Sequence, residues 1–111
     1  MNYANERQGL VGLLTSDSYQ LLCLLESLQA ETLEGPRVRE SQEEIAELFH
    51  VSKGKLNPLM QSLVASGCIQ KYRARSGYTV TPLGSQVIAH IGQLEGLERQ
   101  LQRKQPTGKA G

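Results

Sequence analysis

The sequence predicts a mainly α-helical domain with one small β-hairpin, and three observations carry that prediction. Two short runs with helical apolar spacing stand back to back between Ser41 and Gly67, each opened by a serine. The spacing then becomes strand-like on either side of a polar, arginine-rich tip. A long aliphatic ladder follows, opened by Thr81-Pro82. With 111 residues, no tryptophan and one phenylalanine, the core must come from aliphatic side chains, which suits packed helices.

Taken in order, residues 1–14 carry weak signals and are read as a leader, loose or in dimer contacts. Ser16, Asp17 and Ser18 are cap candidates for a leucine-rich helix over Ser18 to Ala30, with Leu21, Leu22, Leu24, Leu25 and Leu28 covering a broad buried face. Gly35-Pro36 closes the connection, and Arg37-Val38-Arg39 reads as a short extended piece. Ser41-Gln42-Glu43-Glu44 is a capping box, its two glutamates also favoured at the positive end of the helix dipole. Ile45, Ala46, Leu48 and Phe49 supply the buried face of a helix ending near His50. Ser52 caps a second helix carrying Leu56, Leu59, Met60, Leu63 and Val64 and stopping at Gly67.

Pro58 complicates that second helix, because proline removes an amide donor and crowds the preceding turn. Either the helix is kinked there, or it starts at Asn57 with Pro58 in its first position. Beyond Gly67, residues 68–73 and Tyr78, Thr79 and Val80 read as paired strands, with Tyr72 and Tyr78 as packing partners across them. Leu83, Val87, Ile88, Ile91, Leu94, Leu97 and Leu101 mark the last helix, and residues 105–111 are expected to be a disordered basic tail.

Net charge is only +1, but its distribution is uneven. Residues 1–47 carry nine acids and three bases; residues 48–94 carry no acid and five bases, Lys53, Lys55, Lys71, Arg73 and Arg75. Such segregation predicts one positive face. Cys23 and Cys68 form no CxxC pair and read as buried free thiols. No signal peptide and no apolar run near the ~20 residues of a membrane span is visible, so the cytoplasm, with association to the nucleoid when DNA is bound, is the expected compartment.

Helix, three-residue turn, helix, glycine, hairpin, helix is the order of a winged helix-turn-helix: a three-helix core, a wing and a long C-terminal helix. The run SQEEIAELFHVSKGKLNPLMQSLVASGCI resembles the helix-turn-helix of the MarR-like and GntR-like regulators, through Ser41, Glu44, Ile45, Ala46, Val51, Ser52, Leu56, Leu59, Leu63, Gly67 and Ile69. GYTVTPLG is similar to the second wing strand and following helix of MarR-like and PadR-like proteins. The resemblance covers about residues 41–92 and is not specific for one subfamily. It implies a helix-turn-helix over Ser41 to Ile69, a wing over Gln70 to Val80, and a DNA-binding domain over 15–92.

On that reading the recognition helix presents Ser52, Lys53, Gly54, Lys55, Asn57 and Gln61 to DNA, and the wing presents Lys71, Arg73, Arg75 and Ser76. Residues 93–104 extend the last helix, and Ile91, Leu94, Leu97 and Leu101 are expected to form a homodimer seam. The expected function is sequence-specific binding of double-stranded DNA by a transcriptional regulator, a repressor, reading a palindromic site as a dimer. A replication or partition factor of a plasmid or mobile element and a winged-helix protein-interaction module are the alternatives. No enzyme, metal site or cofactor is expected: no nucleophile–base pair or phosphate-binding glycine loop occurs, His90 and Cys68 lack neighbours to complete a metal site, and His50 reads as a surface or half-buried turn residue rather than a ligand or sensor. A small-molecule effector is left open.

Overall fold

Ser16 opens the first helix. Its Oγ accepts from the Tyr19 amide at 3.1 Å, and in the computed structural model, which describes residues 16–72 and 77–110 (the last nine as backbone only), α1 runs over Asp17–Leu28. Leu21, Leu22 and Leu25 are fully buried, each a gain of roughly 1.5–3 kcal/mol over exposure. The helix stops two residues short of the expected Ala30, because Gln29 turns extended and Ala30 enters a strand.

That strand was not legible in the sequence. β1 (Ala30–Thr32) and β2 (Gly35–Arg37) form an antiparallel hairpin, with Ala30 opposite Arg37 and Thr32 opposite Gly35. Thr32 Oγ1 fastens the turn by donating to the Gly35 carbonyl at 2.7 Å and accepting from the Glu34 amide at 3.1 Å. Val38 then bridges to Tyr78, its amide donating to the Tyr78 carbonyl at 2.7 Å.

Ser41 and Glu44 make both halves of the capping box, at 3.1 and 2.8 Å, opening α2 (Gln42–Phe49). Ile45 and Ala46 are buried, whereas Leu48, expected on the buried face, is 48% exposed. His50 ends the helix in the left-handed region, and the Val51 amide returns to the Ala46 carbonyl at 3.0 Å. Ser52 caps α3 (Lys53–Ala65) by accepting from the Lys55 amide at 3.1 Å. α3 therefore starts at Lys53, and Pro58 lies inside it. The amide that proline lacks would have met the Gly54 carbonyl; both residues are exposed, so that acceptor is open to solvent. Leu56, Met60 and Leu63 point into the core, while Val64 is 40% exposed.

Gly67, at φ +85, turns the chain into β3 (Ile69–Lys71), which pairs antiparallel with β4 (Tyr78–Val80). Thr81 joins this hairpin to the last helix, α4 (Pro82–Ala110). Its amide donates to the Cys68 carbonyl at 3.0 Å, and its Oγ1 donates to the Gly67 carbonyl at 2.6 Å and accepts from the Gly84 amide at 3.1 Å. Gly84 is buried against the Cys68 carbonyl, where a Cβ would have no room. The bounds of α4 take in 105–110, which lie within the stretch expected as a disordered tail.

The architecture is thus mainly α with two small antiparallel hairpins, joined by the Val38–Tyr78 bridge. One cluster from α1, α2, α3, Val38 and the second hairpin forms the core. Cys68 belongs to it, and Cys23 is half-buried; both thiols are free. Tyr19 and Cys23 on α1 lie near Glu95 on α4, and burial first, then a hydrogen bond with Cys23 and the nearby charges of Cys23 and Glu95, pushes the Tyr19 phenol up to about 12. No described helix is long and apolar enough to cross a membrane.

Candidate nucleic-acid interface

The serine caps decide which side chains of α3 face outward. With Leu56, Met60 and Leu63 turned into the core, Ser52, Lys53, Gly54, Lys55, Asn57 and Gln61 are all exposed. Lys71, at the end of β3, lies across a groove from Asn57 and Gln61. The fold therefore gathers the sequence-predicted residues of α3 with one of the hairpin residues. Arg73, Arg75 and Ser76 lie outside the described residues, as do residues 1–14.

The electrostatics differ from the sequence expectation. The acid-free run folds against α2, whose Glu43, Glu44 and Glu47 line a depression together with Lys53. Lys53 Nζ stands 3.3 Å from Glu43 Oε2, both side chains largely exposed. An exposed pair of this kind is worth about 0–1 kcal/mol, yet it neutralises one of the two lysines in the first turn of α3. Lys55 and Lys71 have no carboxylate partner among the described residues. One flank of the expected positive face is thus acidic.

Two contacts at the hairpin base were invisible to sequence spacing. The Arg37 guanidinium sits 3.5 Å from the centroid of the Tyr72 ring and 3.6 Å from Glu34, a stacking arrangement that combines cation–π attraction with packing. Tyr72 is therefore not the cross-strand partner of Tyr78. Lys71 is, by register. Tyr78 is buried, and its Oη accepts from Gln42 Nε2 at 3.0 Å, tying the hairpin to the start of α2. Gln29 Oε1 accepts from the Val80 amide at 2.7 Å and holds β4 from its other side. Residues more than thirty positions apart in sequence thus fix the hairpin beside α3.

Between α3 and this hairpin lies an open groove of about 260 Å³. Asn57, Gln61, Val64 and Ala65 form one wall, Lys71 and Tyr78 the other, with Met60 and Gln42 completing it. On α4, the expected seam splits. Leu94, Leu97 and Leu101 are 40–53% exposed, but Ile91 is buried at 7% and is spent on the chain's own interior. Ile91 and Leu94 share one face of the helix, so the change in exposure marks where the body of the domain stops covering it.

No family model and no curated protein matches the chain. A solved structure does. The reduced (Fe(II)) CO-sensing protein from R. rubrum matches with a TM-score of 0.56 and 22% identity, over 76% of this chain and 41% of that one. At that identity the likeness establishes a shared fold, and the chain spans about two-fifths of the length of that protein. It corrects the functional expectation drawn from sequence. The dimeric, sequence-specific transcriptional regulator reading a palindromic site, with its replication-factor and interaction-module alternatives, gives way to a fold shared with part of a sensing protein.

Proposed function

We infer that this chain is a winged helix-turn-helix module of a regulatory protein, docking on duplex DNA through backbone contacts rather than base reading. The observation that carries this is the outward set on α3 and the end of β3, where Lys55 and Lys71 have no carboxylate partner among the described residues and Asn57 and Gln61 offer amides. Lysines and amides of this kind bond phosphate and sugar oxygens without reading sequence. The fold shared with a CO-sensing protein supports the regulatory part of the reading.

Binding of the full chain to unrelated duplexes of equal length, over a salt series, tests it. Each phosphate contact adds about 0.9 to the slope of log affinity against log salt. Lys55→Ala and Lys71→Ala are each expected to reduce that slope by about one and to weaken all duplexes alike. A slope unchanged by both substitutions would overturn the reading.

A further inference from the structure

We propose that Arg37 is a positioning residue for the docking surface: from the first hairpin it clamps the outer face of the second and so fixes Lys71 beside α3. Its effect on DNA rests on the docking reading; the clamp itself does not. The need for a clamp follows from size. β3 and β4 are three residues each, and a two-stranded hairpin is marginal in water on its own. Side chains alternate along a strand. Ile69 and Lys71 therefore share the inner face, Ile69 buried in the core and Lys71 along the groove with Asn57 and Gln61. Tyr72 comes next and faces the other way, its amide still donating to the Gly77 carbonyl at 3.0 Å. The core anchors the hairpin through Ile69, Val80 and Tyr78, which reaches as far as Lys71 in the ladder.

Beyond that pair, Arg37 supplies the support. Tyr72 and Gly77 are the next opposed residues of the ladder, so a side chain at Gly77 would share the face of the Tyr72 ring. Gly77 has none, and Arg37 Cδ passes 3.8 Å from the point where a Cβ would stand. The guanidinium then lies 3.5 Å from the Tyr72 ring centroid, with Glu34 3.6 Å away. Arg37 Nε is buried without a hydrogen-bond partner among the described residues, which leaves the ring face and Glu34 to hold the group. The Arg37 side chain is only 21% exposed, so it acts through the strand it packs on rather than by reaching a phosphate. Its own strand is fixed, because Val38 bridges to Tyr78 and Thr79 Oγ1 donates to the Pro36 carbonyl at 2.7 Å. Without the clamp the end of β3 frays, and Lys71 must be ordered afresh at each encounter with DNA.

The test is duplex binding of full-chain variants over a salt series, well below their melting temperatures, together with amide hydrogen exchange. Tyr72→Leu removes the ring without changing the charge. It should lower the slope of log affinity against log salt by about one, as Lys71→Ala does, while Tyr72→Phe, which keeps the ring, leaves the slope unchanged. Tyr72→Leu combined with Lys71→Ala should lower it no further, whereas combined with Lys55→Ala on α3 it should lower it by about two. In Arg37→Gln, exchange protection of the Tyr72 amide should fall about tenfold. A wild-type slope in Tyr72→Leu when Lys71→Ala lowers it, or effects of Tyr72→Leu and Lys71→Ala that add, would overturn the proposal. A Lys71→Ala variant that binds like the wild type refutes the docking surface instead. Protection lost in Arg37→Gln then upholds the clamp, and unchanged protection overturns it too.

Discussion

Replacing Gly84 by alanine is expected to destabilise the chain, although alanine is the better helix former. The added Cβ would fall on the Cys68 carbonyl oxygen, 2.9 Å from Val80 Cγ1 and 3.1 Å from the Cys68 carbonyl carbon. That carbonyl cannot swing aside freely, because it accepts from the Thr81 amide at 3.0 Å and from Thr81 Oγ1 at 3.1 Å. The start of α4 must lift off instead. Overpacking of this kind costs about 1–3 kcal/mol, and a lost hydrogen bond adds roughly 1 kcal/mol. The opposing gain in helix propensity is at most about 1 kcal/mol. A net loss of about 1–3 kcal/mol corresponds to a fall in Tm of roughly 4–24 °C for a domain of this size. Gly92 and Gly96 supply the control: they lie on the same helix, and a Cβ at either meets nothing within 4 Å among the described residues. Gly92→Ala and Gly96→Ala should each stabilise, by about 0.5–1 kcal/mol. Thermal and urea unfolding followed by far-UV circular dichroism measures all three. A Gly84→Ala variant as stable as Gly92→Ala would refute the close approach of α4 to Cys68.

The Tyr19 phenol, held near 12 in the fold against 10.0 ordinarily, binds its proton more tightly folded than unfolded. Its contribution is therefore complete below pH 10 and is lost as pH rises from 10 to 12. Tyr19→Phe should flatten that part of the pH–stability curve in urea unfolding, and an unchanged fall in the variant would contradict the assignment. At the capping box, Ser41→Ala should cost about 1 kcal/mol. Because Ser41 and Glu44 bond reciprocally, the double variant with Glu44→Ala should cost less than the two singles together, and strict additivity in urea midpoints would argue against the box.

Much of the helical framework was legible because its signals are local. Ser41 with Glu44, Ser52, Gly67 and Thr81-Pro82 each act on amides or turns within a few residues, and each sits at an element boundary in the fold. The hairpin of β1 and β2 left no such mark. Its strands are three residues long, too short for alternation to register, and Pro36 within one of them argues against a strand. For the candidate interface, the outward set on α3 followed from apolar spacing, since fixing Leu56, Met60 and Leu63 inward fixes Lys55, Asn57 and Gln61 outward. The stripe on α4 was only partly readable, because spacing identifies an apolar face without saying where the body of the domain stops covering it, and that limit falls after Ile91.

By itself the sequence determined the starts of α2 and α4, the glycine exit from α3 and the existence of the second hairpin, since caps and turns are settled by neighbours along the chain; the start of α3, left open by Pro58, was decided by the fold. Tertiary structure alone decided the electrostatics and the groove. Glu43 meets Lys53 across a turn, Arg37 covers Tyr72 from another hairpin, and Gln42 holds Tyr78 from thirty-six positions away. Charge and hydrogen bonding act through space, so a run without acids along the chain does not make a surface without acids once α2 has packed beside it.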